Sequence, residues 1–486
     1  MMSESIVRGT VRRASMWCVA MIVACSVFTH AAQAPSAAAT WTGSIDVPPQ
    51  PLQVAVILRQ DAATGAWSGR IDIPAQGAKG LPLANVRIDG RSATFAIAGV
   101  PGNPTFAGTL SEDGEGMAGT FSQGSGNFTF ELRRTGPPTM AAAPARPQEP
   151  TPPFPYREEL VTYRNDAANI ALAGTLTLPR GAGRFPAVLL ISGSGPQDRD
   201  STMAGHKPFL LLADTLTRRG IAVLRVDDRG VGGSERGTIE PTSADLAGDV
   251  RAGIAFLRAR ADIDAARVGL IGHSEGGIIA PMVAADDPRV RFIVMLAGYG
   301  LRGDEVMMQQ VKALARAQGV PDALIDWDLA MRRRVYDVVI AEADGKPDEA
   351  ARQALIENML PFPGPPGLAA AARETAQLLL RTMSTPWWRY MLAYDPAPAL
   401  ARVRVPVLAL IGSHDRQVPA AENLAAIRRA LDAGGNRDAT VRELPALNHR
   451  FQTSQTGLPT ESASIEETMA PSALSLVVEW VVERAK

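Results

Sequence analysis

The sequence predicts an α/β protein with a mostly parallel sheet covered by helices on both faces, preceded by a small all-β domain, a barrel or a sandwich. Three observations carry this. After residue 155, apolar runs alternate with helix-forming stretches, the pattern of parallel strands joined by crossover helices. Between residues 40 and 135 there are only short alternating segments and turn residues, as in antiparallel sheets. Finally, Val268 to Ile271 runs into Gly272-His273-Ser274-Glu275-Gly276 and then into an apolar stretch, a strand–turn–helix around a serine.

The first residues read as a targeting segment. Arg8, Arg12 and Arg13 precede an apolar run from Met16 to Phe28 and the small-residue sequence Ala31-Ala32-Gln33-Ala34, the order of an export signal. The run falls short of the roughly 20 apolar residues of a membrane span. Residues 1–34 are therefore expected to be a leader, cut after Ala34 or nearer Ala39, and the protein to be periplasmic or extracellular. Ile22-Val23-Ala24-Cys25 offers a lipoprotein signal, with lipid on Cys25, as the alternative. Both cysteines, Cys18 and Cys25, lie in this leader. The mature chain then has no disulfide, no thiolate zinc site and no cysteine nucleophile, and no metal or cofactor is expected. A net charge of −1 gives no reason to expect nucleic acid as a partner.

Residues 40–135 carry a degenerate repeat of aromatic or apolar residue, any residue, glycine, any residue, apolar residue. Its copies start at Trp41, Trp67, Phe106 and Met117. Asp89-Gly90 and Asp113-Gly114 mark hairpin turns. No catalytic residue types cluster here, so a packing or binding module is expected. Residues 136–155 are rich in proline and predict an extended, semi-rigid spacer. A chain beginning near Pro155 should therefore keep its chemistry.

In the region 156–486, strands are expected at Ile170 to Leu178, Phe185 to Ile191, Ile221 to Val226, Val268 to Ile271, Phe292 to Leu296, Val407 to Ile411 and Val441 to Leu444. Helices are expected at 242–260, after Ser274, and from Ser472 to Glu483. Between about Leu301 and Thr385 lies an amphipathic helical insert broken by Pro361-Phe362-Pro363-Gly364-Pro365-Pro366. Following a strand, it opens on the side where ligands bind in open α/β sheets, so it reads as a helical cap over a site.

Gly-x-Ser-x-Gly between a strand and a helix is the nucleophile-elbow pattern. Glycines two positions either side of Ser274 leave room for neighbouring backbone, and the helix N-terminus aims free N–H groups at charge developing beside the serine. A serine hydroxyl needs a base. Of five histidines, His30 lies in the leader, His273 lies within the elbow as a packing or lining residue, and nothing marks His206 as a base. His414 adjoins an aspartate at a strand end. His449 stands in Leu447-Asn448-His449-Arg450-Phe451, between the last strand and the last helix, and is the expected base. Asp415, directly after the strand ending at Ile411, is the expected orienting acid. Oxyanion donors are expected from the backbone N–H of Glu275 and of Ser194 in the glycine loop, with Gly195 the alternative. Asp198, Arg199 and Asp200 are expected to brace that loop. Asp227 to Ser234 lacks the Gly-Lys-Ser/Thr of a phosphate-binding loop and reads as a structural turn.

With these motifs in view, residues 156–486 resemble a serine α/β-hydrolase. The resemblance is to bacterial carboxylesterases that share Gly-Ser-Gly-Pro-x-Asp-Arg-Asp, here Gly193 to Asp200. They also share Asp-Asp-Arg-Gly-x-Gly-x-Ser, here Asp227 to Ser234, and Gly-His-Ser-x-Gly-Gly, here Gly272 to Gly277. One departure is Ser192, where a histidine is common. Residues 40–135 are similar to the β-rich N-terminal domain of exported members. The resemblance implies hydrolysis of a small-molecule carboxylic ester through an acyl-serine, with the chain order Ser274, Asp415, His449 of that fold. A serine peptidase of the prolyl-oligopeptidase kind is the alternative, although the β-domain could supply only two propeller blades at ~40–50 residues each. A non-catalytic exported binding protein is a third reading.

Overall fold

The structure is a computed structural model that describes residues 37–47, 51–73, 78–98, 104–123, 126–137, 146–342, 345–364 and 369–486. The expected leader and its cysteines lie outside the described residues, as do residues 138–145 of the proline-rich stretch.

The first region is a closed barrel, which resolves the choice between barrel and sandwich. Its eight strands are β1 (Ala39–Ile45), β2 (Leu52–Gln60), β3 (Trp67–Ile73), β4 (Ala78–Asp89), β5 (Ser92–Ile97), β6 (Thr105–Leu110), β7 (Gly116–Gln123) and β8 (Gly126–Gly136). Each pairs antiparallel with the next, and β8 returns to β1. Alternate residues point inward, so Trp41, Phe95, Phe106, Met117 and Phe130 are buried together. Phe106 stacks on Phe95 at 4.8 Å and meets Phe130 edge-on at 5.1 Å. The barrel is thus packed with side chains.

The sequence repeat has a steric cause. A Cβ at Gly43 would stand 1.9 Å from the Glu131 carbonyl oxygen, and one at Gly119 would stand 2.1 Å from that of Ala107. Glycine is needed where a neighbouring strand's backbone comes this close.

The second region holds an eight-stranded sheet in the order β16-β15-β14-β13-β11-β12-β10-β9. The strands are β9 (Arg157–Asn165), β10 (Ile170–Leu178), β11 (Phe185–Ile191), β12 (Ala222–Val226), β13 (Ile263–His273), β14 (Ile293–Leu296), β15 (Val407–Gly412) and β16 (Ala439–Leu444). From β12 to β16 neighbouring pairs are parallel, while β9 and β10 join antiparallel at one edge. Sequence reading missed β9. As an edge strand it has few core contacts to make, and its Leu160 is 85% exposed. This is the α/β-hydrolase fold.

Helices α1 (Pro208–Arg218) and α11 (Pro471–Arg484) cover one face of the sheet. Helices α2 (Ser243–Ala259), α3 (Glu275–Asp286) and α10 (Ala420–Ala433) cover the other. The strand order reverses between β11 and β13, so the loops after these two strands diverge and leave a crevice at their carboxyl ends. The insert forms α4 (Gly303–Ala317), α5 (Asp322–Ala341), α6 (Glu349–Glu357), α7 (Ala369–Thr382) and α8 (Pro386–Ala393), followed by the short α9 (Ala397–Leu400). Its helical part runs further than the 301–385 expected, because Pro386 sits in the first turn of another helix, where it needs no N–H partner. Met331, Val335, Tyr336 and Leu392 of the insert belong to the same buried cluster as α3.

The spacer expectation for 136–155 fails over its second half. Arg146 donates to the carbonyls of Ile465, Ala204 and Ala463, and Gln148 bonds to Thr468 and Met469. Tyr156, one residue past the proline-rich stretch, is buried and donates to Asp214 at 3.0 Å. Proline stiffness does not prevent docking, because the side chains between the prolines do the bonding.

Candidate active site

Ser274 follows the last residue of β13 and precedes α3. Its φ of 56° and ψ of −117° are sparsely populated for a side-chain-bearing residue and cost of order 1–3 kcal/mol. The surroundings enforce the conformation. A Cβ at Gly272 would lie 1.9 Å from the Gly276 carbonyl oxygen, and one at Gly276 would lie 2.2 Å from that of Ile191. The Ser274 N–H donates to Leu296 O at 2.8 Å and its carbonyl accepts from Gly277 N at 2.8 Å. The side chain is thereby held above the carboxyl ends of β13 and β14.

Asp415 and His449 meet across two loops. His449 Nδ1 lies 2.7 Å from Asp415 Oδ2, and both side chains are buried. The other carboxylate oxygen of Asp415 accepts from the N–H groups of Gln417 and Val418, each at 2.8 Å. The carboxylate is therefore fixed before it orients the ring. Among the described residues no hydrogen bond joins Ser274 Oγ to His449. Hydrogen bonds of this kind are often long in the absence of substrate and tighten around it.

The other histidines have separate partners. His414 Nδ1 donates to Ser454 O at 2.7 Å. His206 Nε2 donates to Ser462 O at 3.0 Å and its Nδ1 lies 3.0 Å from Thr468 Oγ1; burial pushes its pKa down to about 4. His273 does more than line the elbow. Its Nε2 donates to the backbone carbonyl of His449 at 2.9 Å, and the two rings lie 4.9 Å apart. Burial pushes its pKa down to about 3, so the ring stays neutral and keeps this geometry. The residue before the serine thus anchors the segment that carries His449. Its place in the elbow was the only sequence signal for this.

The glycine loop after β11 abuts the elbow, since a Cβ at Gly193 would lie 3.2 Å from Ser274 Cβ. Ser194 is exposed and Gly195 has a φ of 83°. The loop is held from below by Asp228. Its carboxylate accepts from Ser192 Oγ at 2.5 Å and from Gln197 N at 2.8 Å, and burial pushes its pKa up to about 7. Ser192 therefore supports the loop through Asp228. Asp227 binds the Arg199 guanidinium at 2.6 Å and accepts from Arg199 N at 2.9 Å and Gly233 N at 3.1 Å. Asp200 pairs with Arg225, and Asp198 accepts from the N–H groups of Asp200 and Thr202. All three residues from Asp198 to Asp200 brace the loop.

Glu275 is 2% exposed, and its Oε1 accepts from Ser243 Oγ at 2.6 Å and from Trp387 Nε1 at 2.9 Å. As the first residue of α3, it has a backbone N–H without an intrahelical acceptor. A cap residue, Trp387, is therefore bonded to the residue that follows the serine.

The profile of the X-Pro dipeptidyl-peptidase (S15 family) matches residues 168–436, more than half of the chain. The chain belongs to this family. This S15-family chain is also 27% identical over 281 residues to Esterase EstD of Thermotoga maritima. That match covers 57% of the chain and only 57% of the relative's own length. Among solved structures, an esterase of Pyrococcus furiosus has 14% identity and a TM-score of 0.40, covering 68% of this chain and 91% of that one. A proline iminopeptidase of Mycobacterium smegmatis has 15% identity and a TM-score of 0.40, covering 67% and 99%. Likeness at such TM-scores decides nothing about activity. Family membership places the chain among the serine hydrolases.

Proposed function

We propose that the chain hydrolyses carboxylic esters through an acyl-serine intermediate. The observation that carries this reading is the buried Asp415–His449 pair at 2.7 Å, set beside the strained Ser274. Ser274 Oγ attacks the carbonyl carbon as its proton passes to His449 Nε2. Asp415 holds the tautomer and stabilises the imidazolium. The backbone N–H groups of Glu275 and Ser194 face the developing oxyanion. Collapse expels the alcohol, which takes the proton from His449, and water then repeats the sequence to release the acid. The relative named an esterase favours ester substrates.

The S15 match favours a second reading, cleavage of X-Pro peptides by the same groups. A panel of aryl esters and X-Pro aryl amides assayed on one preparation separates the two. Esters turned over at least ~10²-fold faster in kcat/KM, a gap of about 2.7 kcal/mol in transition-state binding, is the expected result; the reverse order establishes the peptidase. Ser274→Ala should lower kcat by roughly 10⁶, as in other serine hydrolases, and a fluorophosphonate should label Ser274 in the unaltered protein. Full activity in that variant would end both readings. Export is part of the proposal, and N-terminal sequencing of periplasmic or secreted material would test it.

A further inference from the structure

The segment that carries His449 is held from outside the hydrolase sheet. After His449 the chain runs through Phe451 and Gln452, then a 3-10 turn (Pro459–Ala463), and returns at Thr468 to Ala470 before α11. The two ends are tied together: Ala470 N donates to Phe451 O at 2.8 Å, and Gln452 Nε2 donates to Glu467 O at 2.9 Å. Gln452 is linked in turn to Asn448, the neighbour of His449, through Gln452 N to Asn448 Oδ1 at 3.0 Å and Asn448 Nδ2 to Gln452 Oε1 at 3.1 Å.

The outer limb of this loop is bonded to the stretch that leaves the barrel. Arg146 donates to Ile465 O at 2.8 Å and to Ala463 O and Ala204 O, both at 3.0 Å. The Gln148 amide accepts from Thr468 N at 2.5 Å and Met469 N at 3.1 Å and donates to Met469 O at 2.8 Å. Lys207 pairs with Glu149 beside them. The barrel itself closes over the junction. Strand β4 packs against the 3-10 turn, and Ala204 and Ala463 are buried within the barrel's own apolar cluster.

We propose that Arg146 and Gln148 are positioning residues for the catalytic base, and that the barrel and its tether form a clamp that sets the His449 loop against Asp415. The side chains satisfy backbone groups of an irregular segment. Without them that segment gains freedom, and displacement of a catalytic group by 1 Å can cost ~10²-fold in rate. The inference rests on the triad proposed above.

The test uses the full chain carrying Arg146→Ala with Gln148→Ala. On a small aryl ester, kcat should fall by ~10- to 10²-fold while KM stays within about twofold. Fluorophosphonate labelling of Ser274 should slow in parallel, and amide exchange over 447–469 should quicken while that of β13 and β14 stays as in the unaltered protein. Arg146→Lys, which keeps a cationic donor near the carbonyls, should recover part of kcat. If the double variant does not fold, Gln148→Ala alone carries the same expectations. Unchanged kcat per folded active site, with only the melting temperature lowered, would overturn the proposal, as would unchanged exchange over 447–469. Should the unaltered protein prove not to use Ser274, the ester reading fails, and the exchange measurement still decides whether the clamp exists.

Discussion

At the residue scale, the arrangement depends on single hydrogen bonds whose removal has unequal consequences. Asp415→Asn keeps the shape but offers an amide that favours the wrong tautomer of His449, so kcat should fall by up to ~10⁴ with the fold intact by circular dichroism. His449→Ala should approach the loss of the serine variant, because the two groups act as a unit. His414→Ala removes only a bond to Ser454 O and should keep most of the activity. Steady-state kinetics on the three variants checks the assignment; a crippled His414→Ala beside an active His449→Ala would exchange the roles.

At the scale of elements, the insert is joined to the candidate site at a named point. Trp387, near the start of α8, donates its indole N–H to Glu275 at 2.9 Å, the residue that follows Ser274. Trp387→Phe keeps the ring and removes the donor, leaving a buried carboxylate oxygen with one partner fewer, at a cost of about 1–3 kcal/mol. The expected outcome is a loss of kcat of ~10-fold or more that is the same for short and long acyl chains. A change confined to chain-length preference would show that Trp387 acts as a pocket wall instead. Trp388, edge-on to Trp387 at 4.8 Å, is the better candidate for altering chain length.

For the whole molecule, two histidines held neutral, His206 and His273, link stability to pH. His206 is held at a pKa of about 4 and His273 at about 3, both mainly by burial, whereas an unfolded histidine titrates near 6.5. Between these values the unfolded chain binds more protons than the folded one, so stability rises with pH there. The contribution is fully present above about pH 6.5 and is lost as pH falls toward 4 and 3. These two groups lower the calorimetric melting temperature from pH 7 to 5, opposed by Asp228, whose burial-raised pKa of about 7 favours the folded state as pH falls through the same window. His206→Gln should show a flatter dependence, and an equal slope in the variant would remove His206 as a source.

What was legible in the sequence was what is local. Glycine at 272 and 276 follows from the turn they flank, and the barrel repeat follows from close strand crossings. The β11, β13 and β15 runs are apolar because both faces of a central strand are buried. Strand order along the chain then named Asp415 and His449 without any contact being visible. Tertiary structure alone decided the rest. It pairs His449 with Asp415 and His414 with Ser454, and it turns His273 into an anchor for the His449 backbone. It also makes Arg146 of a proline-rich stretch a partner of Ile465, 319 positions away. Such bonds run mostly from side chains to backbone groups of irregular loops. A backbone carbonyl has no residue identity, so no pattern of residue types along the chain can announce which side chain will reach it.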